Sequence, residues 1–271
     1  MATKHKLQRH FEKVFGRIEK RLRFVMSALV MTGVLLGSTL FYFDMFWLFV
    51  PLLFFASYIF TYFSVLEDIE RSEWIMLFMM PVLFTVSFYL FYFLFPVRWL
   101  TRVPFMFIYG CSLYAILLTS NIFNVGVGKS LQLYRAAFSV NYFYQTLITF
   151  LLFNVLFSFK QNFVVNGAAV FFIVLPMSLQ LLWSVRLKTN IDRQTINYSF
   201  LVAVIVTQIT MLFSFVPVKS TIFALFLTAC YYCLTGLLYH YLDNKLFRQT
   251  IREYIFVASF VSVIVLLTIQ W

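Results

Sequence analysis

Charge is nearly missing from the interior of this chain. It carries ten acids and 21 Lys and Arg in 271 residues, so that charged residues make up 11% of the total. A soluble domain is roughly 25% charged. Nine stretches hold no Lys, Arg, Asp or Glu at all: 24–43, 45–66, 74–97, 103–128, 136–159, 161–185, 194–218, 220–242 and 254–271. Ion-coupled transport normally places acids, basic residues or His within its spans. Here only His240, near a span end, could serve, because the other histidines lie in the tail. A shortage of Gly and Pro (eight and six) leaves no stretch that reads as a linker or as a separate soluble domain. Cysteine is equally scarce. Cys230-Tyr231-Tyr232-Cys233 has redox spacing, but the pair lies near mid-bilayer, where the reactive thiolate is disfavoured. Only Cys111 remains, so a second pair is missing and the cysteines read as small packing residues.

What fills the chain instead is apolar bulk: 62% hydrophobic residues, 21% aromatics and 37 Phe. About 20 apolar residues suffice for a helix to cross a bilayer. The expected fold is therefore an all-α, polytopic transmembrane bundle of about nine spans, near 24–43, 46–66, 74–95, 104–120, 136–158, 163–184, 196–216, 220–242 and 254–270. These form one transmembrane domain, 24–271, behind a short tail, 1–23. The first run is long for a signal-peptide core and has no clear small-residue cleavage site after it, so it reads as a retained span.

Basic residues collect in cytoplasmic loops. With loops numbered alternately, one side holds seventeen: Lys4, Lys6, Arg9, Lys13, Arg17, Lys20, Arg21, Arg23, Arg71, Lys129, Arg135, Arg186, Lys188, Arg193, Lys245, Arg248 and Arg252. The other side holds Arg98, Arg102, Lys160 and Lys219. The N-terminus is expected to be cytoplasmic and the C-terminal Trp271 external. In the tail, Leu7, Phe11, Val14, Phe15, Ile18 and Leu22 fall within an arc of about 100° on a helical wheel. Most cations lie opposite, the pattern of an amphipathic interfacial helix. The net charge of +11 makes anionic inner-leaflet lipid the expected partner. Nucleic acid is not expected, since no basic soluble domain is present; protein partners are not legible.

Several segments resemble chemical motifs and fall short of them. Val125-Gly126-Val127-Gly128-Lys129-Ser130 ends like a phosphate-binding loop, but Phe123 stands where another Gly is required. Glu67-Asp68-Ile69-Glu70-Arg71 resembles the acidic motif of intramembrane CAAX-type proteases. Its Arg comes one position early, and a second membrane His is missing. Asp44 resembles the first-loop acid of polyprenyl-phosphate sugar transferases, with Arg98 and Arg102 available to a phosphate. That loop is too short for a sugar site, so Asp44 reads as a turn residue and Arg98-Trp99-Leu100-Thr101-Arg102 as an interfacial anchor. No catalytic residue, metal site or cofactor is expected.

Neutral polar residues are what remain inside the spans: Asn141, Gln145, Asn154, Asn166, Gln180 and Gln208. They form a candidate intramembrane cluster, either as interhelical hydrogen bonds or as the lining of a path. Asn154 and Asn166 each lie six residues from Lys160 and are expected to face each other. Gly33 and Gly37 would permit close approach of the first span, and Pro51, Pro81 and Pro176 would kink three others. No internal repeat is evident, which weakens a transporter reading.

Asn121-Ile122-Phe123-Asn124-Val125, Leu131-Gln132-Leu133-Tyr134-Arg135-Ala136-Ala137 and Phe150-Leu151-Leu152 resemble a family of uncharacterised multi-spanning membrane proteins of candidate-phyla bacteria. The resemblance implies a bacterial inner membrane and no assigned activity. It directs attention to Asn121, Asn124, Gln132 and Arg135, which with Arg98 and Arg102 are the candidate lipid-headgroup or partner contacts. The expected function is a non-catalytic scaffold or lipid-interacting component. The alternatives are a small-molecule or lipid transporter without ion coupling, and an enzyme acting on a lipid-linked substrate at the external face.

Overall fold

A computed structural model of the chain describes residues 19–41, 46–65, 74–95, 99–125, 131–187 and 191–268. The amphipathic segment expected over 1–23 therefore lies almost wholly outside the described residues, as do Asp44, the 67–71 cluster, Arg98 and the 126–130 loop.

Each charge-free run becomes a helix, because a chain in hydrocarbon must satisfy its backbone N–H and C=O groups within the segment. The described residues form α1 (Lys20–Phe41), α2 (Phe46–Val65), α3 (Trp74–Tyr92), α4 (Trp99–Val125), α5 (Leu131–Ser158), α6 (Phe163–Ser184), α7 (Arg193–Phe213), α8 (Ser220–Leu242) and α9 (Arg248–Thr268). All nine are long and apolar enough to cross a membrane. Their outward faces are apolar rather than polar: Phe107, Phe172, Leu212, Phe256 and Leu267 are each at least 70% exposed. Contiguous apolar surface on this scale is covered by lipid, not water. The protein is a multi-pass integral membrane protein built as an all-α helical bundle. Helices α4, α5 and α9 begin five to six residues before the expected spans. Their added first turns carry the polar residues Thr101, Arg102, Gln132, Arg135, Arg248 and Arg252.

Two compact units divide the chain. The first comprises residues 1–89 and 96–134, the second 90–95 and 135–271. In the first unit α1 packs on α2 and α4, and α2 on α4. Hydroxyls join these helices. Ser64 donates to Ser27 Oγ (2.8 Å), Ser27 to the Phe60 carbonyl (3.3 Å), and Thr85 on α3 meets both Ser57 (3.3 Å) and Tyr109 (3.0 Å). The second unit pairs α6 with α7, α8 with α9, and α7 and α6 with α8. Helix α5 joins it through Phe138 stacked on Tyr239 (3.8 Å) and Phe157 against Phe223 (4.4 Å).

Helices α2, α3, α4 and α6 run continuously through Pro51, Pro81, Pro104 and Pro176. Proline at 81 supplies no N–H, which orphans the carbonyl four residues earlier. That carbonyl belongs to Leu77, and Ser120 of α4 donates to it at 3.2 Å. A hydroxyl on a neighbouring helix thus replaces the missing bond, as membrane helices allow.

The glycines of close approach are not those of α1. Among the described residues, a Cβ built on Gly33 or Gly37 meets nothing within 4 Å, so this pair makes no intimate contact with the described helices. The close approaches are at Gly110, where a Cβ would lie 2.9 Å from Thr32 Oγ1, at Gly167 against Met211, and at Gly236 against Tyr254 and Tyr142. Spacing identifies residues able to sit at an interface, but the rotation of each helix decides which ones do.

Candidate functional site

Two buried cations, Arg23 and Arg102, sit in the first turns of α1 and α4; deeper in the helices, polar chemistry rests on amides, hydroxyls and thiols. Asn141 and Gln145, four residues apart, share one face of α5. That face meets Gln180 of α6. Asn141 Nδ2 donates to Gln180 Oε1 at 3.2 Å, and Gln180 Nε2 returns a bond to Asn141 Oδ1 at 3.4 Å. Gln145 Nε2 donates to Gln180 Oε1 and, at 3.1 Å, to the Met177 carbonyl. Tyr231 of α8 completes the set, its hydroxyl donating to Gln145 Oε1 at 2.7 Å. Gln145 and Tyr231 are fully buried, Gln180 is 1% exposed and Asn141 3%. Every side-chain nitrogen and oxygen of these four residues has a partner within the group or on the Met177 carbonyl. An unsatisfied polar group here would cost several kcal/mol in hydrocarbon, and closing the network on itself removes that cost.

Three of the six expected cluster residues are thus brought together and three are not. Gln208 is exposed on α7, turned away from the other amides. Asn154 is buried on α5 and makes no bond to Asn166. Asn166 Nδ2 donates instead to the Gln161 carbonyl at 3.0 Å, in the turn ahead of α6. Its Oδ1 is buried without a partner. Asn166 also lines a cavity of about 360 Å³ at the ends of α5, α6, α7 and α8, together with Lys160.

The described candidate headgroup residues lie in the first turn of α4, the last turns of α4 and the first turns of α5. Arg102 is 6% exposed, donates to the Thr39 carbonyl (3.3 Å) in the last turn of α1, and lies 5.2 Å over the Trp99 ring. A cation at a helix C-terminus satisfies orphan carbonyls and opposes the negative end of the dipole. Its position in the structure is that of a cap for α1. Asn121 and Asn124 are half-buried in the last turns of α4, whereas Gln132 and Arg135 are exposed at the start of α5. Gln132 belongs to the first unit and Arg135 to the second.

Cys230 and Cys233 are free thiols three residues apart on α8, and Cys233 donates to the Tyr254 carbonyl at 3.4 Å. His240 packs among rings, 5.0 Å from Tyr239 and 6.0 Å from Tyr254. Among the described residues no three His, Cys, Asp or Glu side chains converge. Tyr231 is the member of the amide network that sequence reasoning overlooked. The available signal was a phenol in mid-span, which requires a hydrogen-bond partner when buried.

Residues 35–268 match a family model described as "Protein of unknown function (DUF5656)". No curated protein and no solved structure matches the chain.

Proposed function

This chain belongs to the DUF5656 family, and we propose that it is a non-catalytic, lipid-interacting scaffold of a bacterial cytoplasmic membrane. The observation that carries the reading is the closed network of Asn141, Gln145, Gln180 and Tyr231. Intramembrane polar groups that bond to one another fix helices in place and are engaged with each other rather than with a passing solute. Scaffolding in this sense means holding α5, α6 and α8 at one rotation while apolar faces contact lipid.

The sorting of basic residues supports a cytoplasmic N-terminus. A periplasm-active reporter fused after Lys160 is expected to be active, and one fused after Trp271 likewise. A cytoplasmic signal at either position overturns the orientation. The basic tail supports the lipid half of the proposal, since each Lys or Arg near an anionic surface contributes about 1 kcal/mol. Protein extracted in native nanodiscs is expected to carry anionic phospholipid in excess of the surrounding membrane, and deletion of residues 1–18 is expected to abolish that excess. Equal lipid composition for the intact and shortened chains would remove this part of the reading.

A further inference from the structure

The cavity at the ends of α5, α6, α7 and α8 is lined by aromatic and polar side chains together. Phe157 and Phe223 meet at 4.4 Å in the wall, and Phe163 and Phe215 at 5.4 Å. Phe215 is 75% exposed and Phe163 41%, so the apolar lining continues outward onto the surface of the protein. Polar groups line it as well. Lys160 lines the cavity, as do Gln161, Ser214 and Ser220, and no carboxylate is among the lining residues. An anion would therefore meet an unopposed cation. Lys160 itself lies in the turn after α5 with φ of 48°, a left-handed conformation that costs a side-chain-bearing residue about 1–2 kcal/mol.

Asn166 adds a second, independent requirement. Its Nδ2 is held by the Gln161 carbonyl, which fixes the amide orientation and leaves Oδ1 as a buried acceptor with no donor. At 7% exposure the residue carries an unmet hydrogen bond in the wall of a cavity large enough for a small ligand. The matching molecule has an anionic group for Lys160, an N–H or O–H donor for Asn166 Oδ1, and apolar chains for the phenylalanines. Free phosphate lacks the apolar chains.

We infer that this cavity binds the headgroup of a phospholipid bearing a hydrogen-bond donor, phosphoethanolamine being the simplest, with its acyl chains along Phe163 and Phe215. The site rests on the lipid-interacting reading above and names the lipid chemistry. It is independent of the N-terminal tail.

Native mass spectrometry of the full-length protein in detergent, titrated with dihexanoyl phosphatidylethanolamine, its choline counterpart and inorganic phosphate, tests the site. Ethanolamine lipid is expected to bind about tenfold more tightly than choline lipid, whose methylated nitrogen has no N–H, a ratio set by one hydrogen bond to a buried group. Lys160→Gln is expected to weaken both lipids about tenfold through loss of the charge-assisted bond, with Lys160→Arg restoring them. Asn166→Leu is expected to erase the ethanolamine preference and leave the dependence on Lys160, with unchanged melting showing that the variant is folded. Equal binding of the two lipids by the native chain, indifference to Lys160→Gln, or displacement of lipid by equimolar phosphate would each overturn the assignment. If these occur while the tail-dependent anionic lipid excess persists, the cavity proposal fails and the broader reading stands. If no lipid is retained by either route, both fail.

Discussion

Replacing Gln145 with leucine is expected to destabilise the second unit by about 2 kcal/mol, the cost of stranding buried polar groups. Interhelical hydrogen bonds within membranes average only about 0.6 kcal/mol in double-mutant cycles, so the lost bonds alone would give a smaller effect. Most of the loss comes from what the substitution leaves behind. The Tyr231 hydroxyl, fully buried, loses its acceptor, and the Met177 carbonyl loses its side-chain donor. Leucine has a similar volume, so little of the loss arises from packing. Adding Tyr231→Phe removes one stranded group and is expected to restore about 1 kcal/mol. Unfolding in mixed micelles, followed for the two single variants and the double variant, measures the coupling. Strictly additive losses would mean that the two residues do not share a bond. A solute path would behave differently, with Gln145→Leu lowering flux while stability stays near that of the native chain.

Gly236→Ala is the second large effect, expected at about 2–3 kcal/mol from overpacking. A Cβ at this position would lie 2.5 Å from the Tyr142 hydroxyl and closer still to the ring of Tyr254. Neither ring has an easy retreat. Tyr142 donates to the Tyr232 carbonyl at 2.6 Å and stacks on the Tyr232 ring at 4.8 Å, and Tyr254 is 8% exposed and 5.5 Å from the same ring. The contact of α8 with α9 and α5 should loosen, read as earlier unfolding in the same micelle titration and as faster hydrogen exchange in α9. An unchanged midpoint would show that the tyrosines can rotate away, and would remove Gly236 as a packing constraint. At Gly167 the obstructing atoms belong to the flexible end of Met211, so alanine there meets a side chain that can move.

Both substitutions fall where sequence legibility stops. Asn141, Gln145 and Gln180 are visible as uncharged polar residues in apolar runs, and all three do meet. Gln208 carries the same signal yet lies exposed on α7, and Asn154 and Asn166 stand equally far from Lys160 in sequence without bonding to each other. Gly33 and Gly37 have the familiar spacing and touch nothing among the described residues, whereas Gly236, isolated in sequence, sits against two rings. Each difference arises from helix rotation and axial offset, which depend on how bulky neighbours pack rather than on the residue itself. The cavity beside Lys160 is of the same kind, since its walls come from two interhelical turns, residues 157–166 and 213–223, that are well separated in the chain.

The order of residues alone establishes an all-α, multi-pass membrane protein, and it locates the nine described helices to within a few turns. The reason is local: a segment in hydrocarbon must satisfy its own backbone and exclude charge, and both demands can be read residue by residue. Packing in three dimensions chooses which amides close on Tyr231, which serine replaces the bond that Pro81 removes, which glycines are crowded, and where a lysine and an unmet amide oxygen line one cavity. Those outcomes follow from the mutual rotation of packed helices, and no single segment encodes that rotation.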